Sequence, residues 1–376
     1  MIYLDNAATT FEKPESVYRA MYQAARTMSS PGRGGYAPSA KAEGLLLRCR
    51  EEAARLFDVG SPEQVVFTFN ATHALNIAIK SLVRPGDRVL ISGYEHNAVT
   101  RTLSAIKDLT VDVFCGALFD RNELLEDFKA KIRNKPTVVI CTHVSNVFGY
   151  ILPIGEIARI CRERDVWLIV DASQSAGCIP VEMKKWEAAF VAMPGHKGLY
   201  GPQGTGLLLC GHAAQPLMEG GTGSESKLQT MPDFLPDRLE AGTHNVPGIA
   251  GLLEGLRYVS ETGIKAIGRK EKYLMQKLVD RLKNDHRLDV FAPEKNDGVQ
   301  SGVLSLRVKG KDCHWVAEQL AREGIAVRSG LHCAPLAHSS AGTLETGTVR
   351  VSVSAMTGPG DIDTFASKIS RISRGR

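Results

Sequence analysis

Val166-Trp-Leu-Ile-Val-Asp-Ala-Ser-Gln-Ser175 is an apolar run that stops on an acid. A short unbroken apolar stretch bounded by polar residues reads as a strand buried on both faces. In open α/β sheets ligands gather just beyond the carboxyl ends of such strands. Similar runs recur at Val65–Phe69, Arg88–Ser92, Val111–Cys115, Thr137–Cys141, Phe190–Met193 and Leu207–Cys210. Between several of them, Ala71–Val83, Asn122–Arg133 and Ile154–Arg164 carry apolar residues at three- and four-residue spacing, which predicts amphipathic helices. Strand–helix alternation of this kind predicts an α/β fold with a mostly parallel sheet covered on both faces.

The pattern changes after about residue 246. A long helical stretch, Pro247–Asp285, precedes strands expected at Gly302–Val308 and Thr348–Ser354, a helix near Cys313–Glu323 and a last helix from Asp361. This predicts a smaller α+β domain. Its expected extent is residues 1–14 and 247–376, with the large domain over 15–246. The segment from Gly220–Ser226 to Asp237 reads as a loop. A length of 376 residues suffices for two such units.

Composition narrows the function. The chain is 43% apolar and 23% charged with a formal charge of +5, and it has no block of Lys and Arg. That balance gives no basis for a nucleic-acid partner. The start, Met1-Ile-Tyr-Leu-Asp5, is not a signal peptide, and no apolar run approaches the length of a membrane span. The expectation is a soluble, cytoplasmic protein. Eight cysteines (Cys49, Cys115, Cys141, Cys161, Cys178, Cys210, Cys313, Cys333) form no C-x-x-C pair. Those in apolar contexts, such as Cys141 and Cys210, are expected to be reduced and buried.

Three stretches carry chemistry. In Pro194-Gly-His-Lys-Gly-Leu-Tyr200, Lys197 follows a buried strand within a glycine-rich turn. Desolvation there would lower its pKa and suit it to imine formation with an aldehyde, although a lysine in a mobile loop is the plain alternative. Asp171, 26 residues earlier, ends the apolar strand. Alone it could cap a helix; beside Lys197 it is the acid that keeps a pyridine nitrogen protonated. In Phe67-Thr-Phe-Asn-Ala-Thr-His73 a strand turns directly into a helix, offering the amides of Ala71, Thr72 and His73 to a phosphate.

With these stretches, the chain also contains Tyr3-Leu-Asp-Asn-Ala-Ala-Thr-Thr10, Glu95-His-Asn-Ala-Val99, His143-Val-Ser-Asn-Val-Phe-Gly149, Glu240-Ala-Gly-Thr243, Val327-Arg-Ser-Gly-Leu-His-Cys-Ala334 and Val349-Arg-Val-Ser352. Together they resemble the class V aminotransferase family of fold-type I pyridoxal-phosphate enzymes. Within it they resemble the cysteine desulfurase branch, in the compact-cysteine-loop subgroup that also contains selenocysteine-lyase-like enzymes. The likeness runs from residue 3 to about residue 352.

The resemblance implies pyridoxal 5'-phosphate held as a Schiff base on Lys197, with Asp171 on its ring nitrogen and His96 stacked on the ring. It implies that His96 also moves protons near neutral pH. Gln174 and Asn146 would bond the phenolic oxygen or the substrate, and Ala71, Thr72, His196 and Thr243 would hold the phosphate. Thr243 would reach across from a second copy, making a homodimer. Arg350, with Asn146 and Arg328 near it, would grip the carboxylate of L-cysteine. Cys333 would take the sulfur as a persulfide, its thiolate favoured by positive neighbours, and pass it to an acceptor protein. No metal is implied.

Three positions depart from the family pattern. Pro194 stands where a serine is usual, Ala71 where a threonine is frequent, and Asn70 where a glycine turns the chain. Asn tolerates left-handed backbone, so the turn is expected to survive. The alternatives are a selenocysteine lyase acting on L-selenocysteine, another β-eliminating enzyme of the class, or an aminotransferase. A non-catalytic scaffold would have lost one of Lys197, Asp171, His96, Cys333 or Arg350, and all are present.

Overall fold

Trp167–Asp171 is a strand whose Leu168, Ile169 and Val170 are buried, in a computed structural model that describes residues 1–32 and 34–375. The chain begins with β1 (Ile2–Tyr3), α1 (Glu15–Thr27) and α2 (Ala37–Leu56). Alternation follows through β2 (Val65–Thr68), α3 (Ala71–Leu82), β3 (Arg88–Ser92), α4 (Asn97–Ser104), β4 (Thr110–Phe114), α5 (Arg121–Lys131), β5 (Val138–Thr142), α6 (Ile154–Arg162) and β6 (Trp167–Asp171). A one-turn helix α7 (Met183–Trp186) leads to β7 (Phe190–Pro194) and β8 (Gly206–Cys210). After an irregular crossing come α8 (Val246–Thr262), α9 (Ile264–Leu282), β9 (Leu288–Phe291), β10 (Val303–Val308), α10 (Cys313–Arg322) and β11 (Ile325–Ala326). The chain closes with β12 (Arg328–Gly330), α11 (Pro335–Ser340), β13 (Thr348–Ser352) and α12 (Pro359–Ser373).

The large sheet has the order β2-β8-β7-β6-β5-β3-β4. Its neighbours from β4 to β7 are parallel, and β8 runs antiparallel to both β7 and β2. Alternate residues feed two cores. Leu90, Val139 and Val170 pack on one face, and Val89, Ile140 and Ile169 on the other. The chain moves outward from β3 to β4, then inward from β3 to β5, so strand order reverses between β3 and β5. A crevice opens outside the carboxyl ends at such a reversal.

The smaller body is an antiparallel sheet, β12-β13-β10-β9, covered by α9, α10 and α12. The N-terminus joins it through β1, which pairs with β11, and through a bridge between Asp5 and Ser352. The expected boundary at residue 247 cuts a core. Val246, Ile249, Leu252, Leu253 and Leu256 of α8 lie in a cluster with residues of the large sheet and of α2, and α8 also packs on α1. Gly263, at φ +86°, ends α8 and starts α9, which splits the single helical stretch expected there.

Helices α1, α2 and α4 were not expected. Helix α1 buries only Val17 and Ala24, although Val17, Ala20, Met21 and Ala24 stand at helical spacing. In α4 the cap is His96, which is outside the usual set of cap residues. No described helix is long and apolar enough to cross a membrane.

Candidate active site

Ten residues expected at the site line one cleft of ≈ 770 Å³ between the two bodies. Ala71, Thr72, His96, Asn146, Asp171, Gln174, His196 and Lys197 come from the large body. Arg328 and Arg350 come from the smaller one. Thr243 does not join them; it lines a separate cleft with Phe69 and His244. Cys333 is exposed on the loop whose His332 lines the main cleft.

At one end is the N-terminus of α3. Asn70 is extended, at φ −175°, rather than left-handed, and its side chain caps the helix by accepting from the His73 amide at 2.9 Å. That corrects two expectations. Asn70 does not replace glycine through left-handed geometry, and the His73 amide is already used. The amides of Ala71 and Thr72 remain as first-turn donors without intrahelical partners, and they carry the positive end of the helix dipole.

His96 caps α4 from the end of β3: its Nδ1 accepts from the Ala98 amide at 3.0 Å, which assigns the ring proton to Nε2. Burial lowers its pKa to about 4, Asp171 opposes that, and Lys197 adds to it. Burial therefore favours the neutral imidazole. Beneath it lies Glu95, fully buried, which accepts from Ser92 Oγ and from the Thr142 amide. Burial raises this acid to about 8.

Asp171 is 2% exposed and accepts from the Ser173 amide at 2.9 Å. Gln174 donates to the Ala7 carbonyl at 2.9 Å. Two glycines set the distance from this turn to the lysine loop. A Cβ on Gly177 would sit 1.9 Å from the Gly198 carbonyl oxygen, and one on Gly198 would sit 2.4 Å from that of Ala176. Lys197 is thereby pressed against the Asp171 turn. Burial lowers its pKa to about 8, while Asp171 pulls it back up. The neighbouring His196 carbonyl accepts from the Thr10 amide at 3.0 Å, and the His196 Nδ1 is buried without a partner among the described residues.

The smaller body brings Arg350, 1% exposed on β13. Its Nη2 meets Asp5 Oδ1 at 2.7 Å and its Nη1 donates to the Asn146 carbonyl at 3.0 Å. Its Nε is buried and unpaired among the described residues. The cysteine loop is clamped to the large body: the Asn97 amide donates to the Cys333 carbonyl at 2.8 Å, and Asn146 Nδ2 donates to that of His332 at 2.8 Å. His332 and Cys333 both have positive φ, 50° and 56°, a conformation that non-glycine residues adopt at some strain. Arg328 Nη2 approaches Cys333 Sγ at 3.7 Å.

Sequence reading missed one residue here. Asp5 could have been noticed as an acid between Leu4 and a run of small residues. His332 was legible as the histidine beside Cys333, but its burial was not: it arises from Thr348, 3.1 Å from Nε2, and from His338 stacked on its ring, and it lowers the pKa of His332.

These groups fit pyridoxal 5'-phosphate. The α3 amides and the orphaned His196 ring suit a phosphate, Asp171 suits a protonated pyridine nitrogen, His96 offers a flat ring, and Lys197 is an amine of lowered pKa.

Similarity to known proteins agrees. The aminotransferase class-V family model matches residues 2–365. The chain is 33% identical to a probable cysteine desulfurase of Methanothermobacter thermautotrophicus, over 94% of this chain and 90% of the relative. It is 32% identical to one of Pyrococcus abyssi, over 97% and 92%. A solved apo cysteine desulfurase of Thermococcus onnurineus superposes with a TM-score of 0.91 at 30% identity, covering 100% of this chain and 95% of that one. The chain therefore belongs to the aminotransferase class-V family.

Proposed function

We propose that the protein is a pyridoxal-phosphate-dependent cysteine desulfurase, converting L-cysteine to L-alanine and placing the sulfur on Cys333. One observation carries the reading: an exposed thiol, 3.7 Å from Arg328, is clamped on a strained loop to the residue beside His96 and to Asn146. A cysteine with only a packing role would be buried, as Cys49 and Cys141 are.

The family's cofactor supplies an electron sink for a substrate carbanion. The chain supplies the rest. Arg350 holds the carboxylate, and Asn146, fixed on the same guanidinium through its carbonyl, orients the substrate beside it. Lys197, a base of lowered pKa, takes the Cα proton. Asp171 would stand against the ring nitrogen, and His96 would cover the ring as a neutral imidazole. The Cys333 thiolate attacks the substrate sulfur. A Cβ–S bond breaks as an S–S bond forms, the electron pair passing to the carbon skeleton; of the protons from Cα and the two thiols, one returns to Cα, one completes the alanine methyl and one stays on the persulfide. The short pinned loop has little reach, so an acceptor protein comes to it. Free cysteines among the described residues suit the reducing cytoplasm. The distance of Thr243 from its own cleft supports a homodimer in which each copy serves the other.

Alanine and sulfide production from L-cysteine tests this, with L-selenocysteine and Cys333→Ala run in parallel. We expect alanine from cysteine to fall by about 10²-fold or more in the variant, as for loss of an activated nucleophile. Turnover of selenocysteine alone, unchanged in the variant, would make the protein a selenocysteine lyase. Light scattering on the same preparation should give twice the chain mass; a monomer would refute the shared site.

A further inference from the structure

We propose that Asp5 is the exchangeable counter-ion of Arg350: it closes the guanidinium in the free enzyme and gives way to the α-carboxylate of the amino-acid substrate. This rests on the reading of Arg350 as the carboxylate anchor.

A bidentate grip needs two adjacent N–H groups free to face the ligand. Arg350 is 1% exposed, with Nη1 on the Asn146 carbonyl and Nη2 on Asp5. Nε is unpaired among the described residues, so the Nε–Nη2 edge becomes a free fork once Asp5 leaves Nη2. The Asn146 carbonyl is held in place. Its loop is closed by the Ser145 amide on the Tyr150 carbonyl and by the Gly149 amide on that of Ser145, each at 2.9 Å, and the Asn146 side chain is tied to His332. Asp5 is freer. Its backbone is bridged to Ser352, yet its carboxylate makes a single hydrogen bond among the described residues, to Arg350, and its side chain is 20% exposed. A side-chain rotation releases it without moving the sheet.

The charges explain why an acid stands there. A guanidinium buried without an anion is strongly destabilising. Asp5 supplies the anion while the cleft holds no substrate, and the substrate carboxylate replaces it one for one. A ligand without a carboxylate has nothing to exchange.

Calorimetric titration of the holoenzyme with L-alanine tests the exchange without turnover. For Asp5→Asn we expect Kd for L-alanine to fall about threefold or more, and the ligand-free melting temperature to fall, since the competing charge is gone. Asp5→Ser should shift Kd in the same direction, and Asp5→Glu should restore wild-type affinity. In turnover, KM for L-cysteine should fall more than kcat changes. An unchanged or weakened affinity in both Asp5→Asn and Asp5→Ser would overturn the proposal, leaving Asp5 as a strut or a bystander. Arg350→Lys separates the two levels: if it leaves L-alanine affinity intact, the anchor itself is wrong. If it abolishes binding while the Asp5 variants fail to tighten it, the exchange alone is wrong.

Discussion

Lys197 shows how far one residue's chemistry follows from its surroundings. Its pKa is lowered from 10.5 to about 8, first by burial. At pH 7 about one molecule in ten then carries the neutral amine, against about one in three thousand for an ordinary lysine. Capture of pyridoxal phosphate by the apoprotein, followed by visible absorbance, should therefore speed up with pH and level off above about 8. A rate that keeps rising toward pH 10 would mean that the site does not depress the lysine. Lys197 and Asp171 were legible in the sequence because each ends or follows an apolar strand, and sheet geometry puts strand ends together. The Asp5–Arg350 contact was not legible. It joins positions 345 residues apart, and both are set by pairing in the smaller body.

At the scale of elements, what the sequence revealed depended on how strong the periodicity was. The strands of the large sheet were foreseen within a residue or two, because most of them are buried on both faces and read as unbroken apolar runs. Helices α1 and α4 were hidden by few buried residues and an unusual cap. The α8–α9 break needed the meaning of Gly263 as a left-handed stop. Helix α9 carries a further consequence, the buried Glu271, which makes no ion pair among the described residues. It lies beside Cys178, and a Cβ on Gly302 would sit 2.7 Å from it. Burial raises its pKa from 4.5 to about 8. Between those values the folded protein keeps a proton that the unfolded chain has lost, so stability falls as pH rises through that window. Glu271→Gln removes this term. The melting temperature of the wild type, measured against that variant, should decline between about pH 4.5 and 8 and then level off. A difference that stays flat across this window would show that Glu271 is not buried as an acid.

For the whole molecule, the site exists because two bodies close on one crevice. The large sheet brings the lysine, the acid and the phosphate-binding helix end. The smaller sheet brings Arg350 and the cysteine loop, and the ties of Cys333 to Asn97 and of His332 to Asn146 hold the two sides in register. The fold class and most of the cleft were legible from the order of the motifs along the chain. Thr243, expected to serve a second copy, lies in another cleft of its own chain. The central claim is that sulfur leaves the substrate onto Cys333. It is tested most directly by a single turnover with L-cysteine in the absence of reductant, followed by protease digestion and mass spectrometry of the peptide that contains Cys333. The account predicts one added sulfur atom on Cys333, matched mole for mole by alanine. Alanine formed in full with no added sulfur on that peptide would contradict it.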